Sequence, residues 1–130
     1  MDNLHITSSI TFLYFNDLAV AKAFFSDTLG LPVVYDPGWS CVYRINGKAF
    51  IGAVDNAAGS IRVESRDGLL VSITVDNIEA AHKRIKDCGV DVSSIKMVKD
   101  IDLKSFFFTG PEGYKFEIQQ FTCGELSQLF

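Results

Sequence analysis

The chain has 130 residues, 48% hydrophobic and 12% aromatic, which is enough apolar material for one folded domain and too much for a disordered one. A net charge of -4 and a pI near 5.0 leave no diffuse basic surface, so nucleic acid and anionic membranes have no electrostatic footprint to bind. No run reaches the roughly 20 apolar residues of a spanning helix, and the opening MDNLHITSSI has neither the basic start nor the apolar centre of a secretory signal; a cytoplasmic location is expected.

SITFLYF, residues 9 to 15, is rich in aromatic and β-branched side chains and reads as a strand. NDLAVAKAFFSDTLG, residues 16 to 30, changes period. Leu18, Ala21, Phe25 and Leu29 form one apolar stripe, Asn16 or Asp17 can cap the start, and Gly30 can end it, so a helix is predicted. Phe24 and Phe25 on that helix are assigned to the core. PVVY, WSCVYRI and KAFIGAV then read as three short strands separated by the turn signals DPG and NG.

Residues 55 to 68, DNAAGSIRVESRDG, are small, polar and charged, and read as a linker. Beyond them the order recurs. LLVSITV, residues 69 to 75, is a strand, and DNIEAAHKRIKDCG, residues 76 to 89, is a helix with Ile78, Ala81, Ile85 and Cys88 on one stripe. Leu18, Ala21, Phe25 and Thr28 precede those four by sixty residues each, which marks an internal repeat. VDVSSI, KSFFFT and GYKFEIQQF supply the remaining strands. An α+β chain of two βαβββ modules, about 8 to 54 and 69 to 121, follows. Cys41, Cys88 and Cys123 show no CxxC or metal-knuckle spacing and read as reduced, buried thiols.

The doubled order, the helix start NDLAVAKAFFSDTLGL and above all FFTGPEGYKFEI, residues 107 to 118, resemble the vicinal oxygen chelate superfamily of glyoxalases, bleomycin-resistance proteins and extradiol dioxygenases. The resemblance implies curved mixed sheets with helices on the convex side, a pocket on the concave side, and a homodimer. It also implies four inward metal-ligand positions, one on the first and one on the last strand of each module. Counting from the turn glycines Gly47 and Gly113 puts the last-strand positions at Ile51 and Glu117. Counting back from Asp17 and Asn77 puts the first-strand positions at Ile10 and Leu70. Three of the four are aliphatic and donate no electron pair, whereas a catalytic divalent site needs about three protein ligands. No metal and no cofactor is therefore expected. His5, before the first strand, and His82, on a helix face beside Glu79, Lys83 and Lys86 with a Glu79 to Lys83 pair available, read as surface residues.

Alternation along the last strand sets Lys115, Glu117 and Gln119 on one face and Phe116 and Ile118 on the other. The polar face is expected to meet Ile10, Phe12 and Tyr14. A carboxylate there would need a raised pKa or a partner such as Tyr14 or Lys115. Trp39 shares parity with Tyr43 and Cys41, and Phe106 with Phe108 against Phe107; which of each pair of faces looks inward is open, and Trp39, Tyr43, Phe106 and Phe108 are taken as candidate lining. With Ile10, Phe12, Tyr14, Ile51, Leu70 and Glu117 they outline an apolar, aromatic pocket with a polar handle. Such a lining suits metal-independent sequestration of a small apolar or aromatic molecule, as the bleomycin-resistance resemblance implies. The alternative is a glyoxalase- or dioxygenase-type lyase, isomerase or oxygenase with Glu117 as metal ligand or general acid/base. No Ser/His/Asp set or phosphate-binding glycine loop is present to support another chemistry.

Overall fold

A computed structural model describes residues 3 to 130. They divide between Ser65 and Arg66, within the small polar stretch 55 to 68, into two compact units. The first runs β1 (Ser9–Phe15), α1 (Leu18–Ala23), β2 (Val33–Tyr35), β3 (Ser40–Asn46) and β4 (Ala49–Asp55). The second runs β5 (Leu70–Thr74), α2 (Ile78–Asp87), β6 (Lys96–Val98), β7 (Leu103–Thr109), β8 (Lys115–Phe121) and α3 (Gly124–Leu129). Each unit holds one four-stranded mixed sheet, in the orders β1-β4-β3-β2 and β5-β8-β7-β6, with one parallel pair, β1 with β4 and β5 with β8. The α+β reading holds.

Side-chain caps start both long helices: Asp17 accepts from the Val20 N–H at 3.2 Å and Asn77 from the Ala80 N–H at 3.1 Å, satisfying donors that a helix leaves unpaired. The first helix continues past Ala23 as a π-helical turn over Phe24–Thr28. That wider turn carries Phe25 onto the sheet, where its ring meets Phe15 edge-on at 6.1 Å and Tyr43 at 5.4 Å. The helix-side core of the first unit therefore holds Leu13, Phe15, Phe25, Tyr43 and Ile51, all 1% exposed or less.

In the second unit, Ile78 and Ile85 of α2 are buried with Phe106, Phe116 and Ile118. Phe108 stacks on Phe116 with centroids 5.3 Å apart and planes 8° from parallel. Burial of each such ring contributes about 1.5 to 3 kcal/mol. Two elements differ from expectation. VDVSSI forms no strand; its Val92 makes an isolated bridge to Phe108, and β6 lies later, at Lys96–Val98. Past Phe121 the chain forms the unanticipated α3, and Phe130 stacks on Phe121 at 5.1 Å. Among the described residues no helix is long and apolar enough to cross a membrane.

Candidate functional site

The helices cover one face of each sheet, and the strand register decides which residues are left on the other. In the second unit β5 and β8 pair Leu70 with Lys115, Ser72 with Glu117 and Thr74 with Gln119. β7 adds Thr109, Phe107 and Ser105 opposite the same three β8 residues. Residues paired across a ladder share a face, so these rows make up the open face. Glu117, half-buried, accepts a hydrogen bond from the Ser72 hydroxyl at 2.7 Å, and Gln119 donates to the Thr74 hydroxyl at 3.0 Å. The expected partner Lys115 instead donates to Thr109 at 3.4 Å. Tyr14 is engaged within its own unit, where its hydroxyl accepts from the Ser60 N–H at 3.1 Å. Hydrogen bonding with Ser60 holds that phenol below its usual range.

Phe106 and Phe108, candidate lining residues by sequence, lie on the helix side; Phe106 is fully buried and packs against the His82 ring in a T-shaped pair with centroids 4.8 Å apart. Their neighbour Phe107 stands on the Glu117 face, 48% exposed. The run of three phenylalanines hid this, because alternation carries no contrast where every residue is apolar. Ser72 is likewise silent in the sequence, since its parity with Leu70 places it beside Glu117 only once β5 is paired with β8.

In the first unit, β1 and β4 pair Ile10 with Phe50, Phe12 with Gly52 and Tyr14 with Val54. Ile10 and Phe12 are 42% and 45% exposed. Ile51 pairs with Thr11 and Tyr43 and is buried on the helix side, so its assignment to the Ile10 face is corrected. The cause is turn length. Residues 46 to 49 make a tight turn in the first unit, while Gly110 to Tyr114 make a longer one in the second. Counting from the glycine therefore slips by one residue and flips the face. By register, the counterpart of Glu117 is Gly52. A Cβ on Gly52 would lie 2.5 Å from the Phe12 ring, so the glycine lets that ring lie against the sheet.

Tyr43, another candidate for the lining, is fully buried against Phe25; its hydroxyl donates to the Lys22 carbonyl at 3.2 Å. Burial, aided by Cys41, pushes this phenol up to about 12. Trp39 precedes β3 with the parity of Cys41 and Tyr43 and is 50% exposed. The open face of β3 carries Val42 and Arg44 instead, with the Arg44 guanidinium 5.4 Å from the Phe50 ring. His5 is exposed. His82 is only half-exposed, packing on Phe106 with a ring nitrogen 2.9 Å from the Ser93 carbonyl. The expected Glu79 to Lys83 pair is replaced by Glu79 with Lys104 at 3.2 Å and Lys83 with Asp87 at 2.6 Å. Cys41 is buried, but Cys88 is exposed and Cys123 partly so.

These faces give a poor metal donor set. Glu117 has Ser72 and Phe107 directly beside it and Lys115, Leu70, Gln119 and Thr74 on the adjoining rows, none of them a usual ligand of a catalytic divalent ion; its counterpart is Gly52, and no group of three His, Cys, Asp or Glu able to hold an ion exists among the described residues. The residues present do not fit a catalytic divalent ion.

The sequence model of the glyoxalase/bleomycin resistance protein/dioxygenase superfamily matches residues 4–118. The chain belongs to that superfamily. No curated protein sequence matches it. Among solved structures, a lactoylglutathione lyase from Agrobacterium tumefaciens is 20% identical with a TM-score of 0.72, covering 95% of this chain and 98% of its own. The fosfomycin resistance protein FosX from Mesorhizobium loti is 16% identical with a TM-score of 0.68, again covering 95% of this chain and 98% of its own. A glyoxalase/bleomycin resistance protein/dioxygenase from Nocardioides is 16% identical with a TM-score of 0.75, covering 95% of this chain and 88% of its own. At these identities the likeness is one of fold, and superfamily membership spans both chemistry and binding.

Proposed function

We propose that this superfamily member sequesters a small, largely apolar or aromatic organic molecule without a metal, on the open face of its second sheet, in the manner of a bleomycin-resistance protein. The observation that carries this reading is Phe107 exposed beside Glu117, whose carboxylate is oriented by the Ser72 hydroxyl at 2.7 Å. An exposed ring offers a stacking surface, and an oriented carboxylate accepts one hydrogen bond from a ligand edge. A homodimer is part of the proposal, since half-exposed Ile10 and Phe12 are apolar area for a second copy to cover. So is a cytoplasmic location, which suits the exposed thiol of Cys88.

The test titrates a panel of aromatic molecules against isotopically labelled protein and follows the amide signals of Ser72, Phe107 and Glu117. Ligands that shift these signals should lose roughly 1 to 3 kcal/mol of affinity in Phe107→Ala. Glu117→Gln should weaken hydrogen-bond-donating ligands more than purely apolar ones. Near one equivalent of a divalent metal in the purified protein, lost in Glu117→Ala, would replace this reading with the lyase, isomerase or oxygenase alternative.

A further inference from the structure

The row beyond Glu117 carries charges that the reading above does not use. A cavity of about 890 Å³ opens at this end of the second sheet. Its apolar walls are Leu69, Leu70, Val90 and Phe107, with helix-side Phe108 and Phe116 reached at the end of the sheet, and its polar groups include Lys115, Thr109 and Asp91. The register explains why they converge. Thr109 pairs with Lys115, which pairs with Leu70. The antiparallel bridge between Val92 and Phe108 then sets Asp91 beside Thr109. The main chain supports that placement on the next row, where the Ser93 N–H donates to the Phe107 carbonyl at 2.9 Å and the Phe107 N–H to the Ser93 hydroxyl at 2.8 Å.

Asp91 and Lys115 thus flank Thr109 two strand spacings apart, roughly 10 Å between backbones. Both are exposed, and among the described residues neither forms an ion pair. Lys115 reaches Thr109 at 3.4 Å, so an ammonium and a hydroxyl donor stand side by side. One end of the row is built to receive an anion and the other a cation, above an apolar wall large enough for a ring system.

We propose that this cavity binds zwitterions with an apolar body, of the aromatic amino-acid class. The ligand carboxylate accepts from Lys115 and Thr109, its ammonium donates to Asp91, and its ring lies against Phe107 and Leu70. A simple organic anion would leave Asp91 facing the same negative charge, and a simple amine would leave Lys115 facing its own; a zwitterion satisfies both ends. The inference rests on the reading of the second open face as a ligand surface and names the ligand class for it.

Four probes separate the terms: tryptophan, indolepropionate without the ammonium, tryptamine without the carboxylate, and uncharged indole, each titrated at millimolar concentration against labelled protein. Tryptophan is expected to shift the amides of Leu70, Asp91, Thr109 and Lys115 and to bind about fivefold more tightly than either singly charged analogue, the scale of one partly exposed ion pair. Lys115→Met should abolish the advantage over tryptamine, and Asp91→Asn the advantage over indolepropionate. Both side chains are exposed, so neither change should disturb the fold. If tryptophan binds no better than indole, or if neither substitution alters its affinity, the zwitterion assignment falls. In that case, indole shifts at Ser72, Phe107 and Glu117 leave the aromatic-binding reading standing. Absence of any shift with all four probes overturns both.

Discussion

The two units repeat one order of elements, β1-α1-β2-β3-β4 and β5-α2-β6-β7-β8, and one pairing scheme, yet they furnish their open faces differently. In the first, rings occupy the face: Phe12 lies over Gly52, Tyr14 lies over Gly59 and is tied to Ser60, and Arg44 lies over Phe50. In the second, the equivalent rows carry Ser72 with Glu117, Thr74 with Gln119, and Lys115 with Thr109. Backbone pairing constrains both sheets alike, whereas the open face is constrained only by what it meets. The first unit lays aromatic side chains along that face, Tyr14 buried and Phe12 45% exposed, while the second carries hydrogen-bonding and charged groups there. That difference is why the proposed ligand surface is assigned to the second unit.

The assignment of faces in the second sheet is the part of this comparison with the largest consequence for stability. Phe106→Ala removes a fully buried ring that packs on His82 and should cost about 3 to 5 kcal/mol. Phe107→Ala, one residue along, should change stability by less than about 1 kcal/mol because its ring is half-exposed. Urea unfolding of the two variants reads the contrast directly. Equal losses would mean that both residues are core and that the open face has been misplaced.

The aromatic face of the first unit is tested by Gly59→Ala. The added Cβ would lie 2.2 Å from the Tyr14 ring, which is 7% exposed and anchored through its hydroxyl to Ser60. Displacing that ring should cost about 1 to 3 kcal/mol. In a Tyr14→Leu background the same substitution should cost less, and the double-mutant cycle should report the coupling. No coupling would show that the ring does not seal this face.

The order of elements was legible because it depends on local signals: the caps at Asp17 and Asn77, the sixty-residue offset of the helix stripes, and the apolar strands between turn residues. The face of the candidate residue Glu117 was legible, because polar and apolar residues alternate cleanly along β8. Legibility failed where that contrast was missing, at Phe106, Phe107 and Phe108, and where two turns of unequal length were treated as equal, which put Ile51 in place of Gly52. The later position of β6 was equally hidden, since VDVSSI alternates like a strand but only Val92 finds a bridge. Ser72, Asp91 and Thr109 gain meaning only from the pairing between strands, which no single strand contains.

The helix-side core of the first unit also holds an ionisable group: burial pushes the Tyr43 hydroxyl up to about 12. An unfolded tyrosine titrates near pH ~10. The folded chain therefore holds this proton more tightly, and the resulting stability is complete below about pH 10 and is lost as pH rises toward 12. Tyr43→Phe should flatten the alkaline decline in urea unfolding measured at stepped pH. An unchanged decline would assign it to other groups.

The smallest effect on stability, and the sharpest on the reading of the second face, is expected from Ser72→Ala. The hydroxyl is exposed, so deleting its 2.7 Å hydrogen bond to Glu117 should alter folding by no more than about 1 kcal/mol. Its role in the proposed binding is different in kind. A carboxylate on a strand can rotate about its side-chain bonds, and Ser72, directly opposite across the parallel pair, restrains that rotation beside Phe107. Without it, a ligand that donates to Glu117 must order the carboxylate itself, at a cost of about 0.5 to 1.5 kcal/mol. Hydrogen-bond-donating aromatics should weaken accordingly, while purely apolar ones keep their affinity. Ser72→Thr, which retains the hydroxyl, should restore most of the loss. If Ser72→Ala weakens both ligand types equally, the serine acts through the local shape of the sheet. If it weakens neither while Glu117→Gln weakens the donors, the carboxylate orients without its serine, and the contrast between the two faces rests on Glu117 alone.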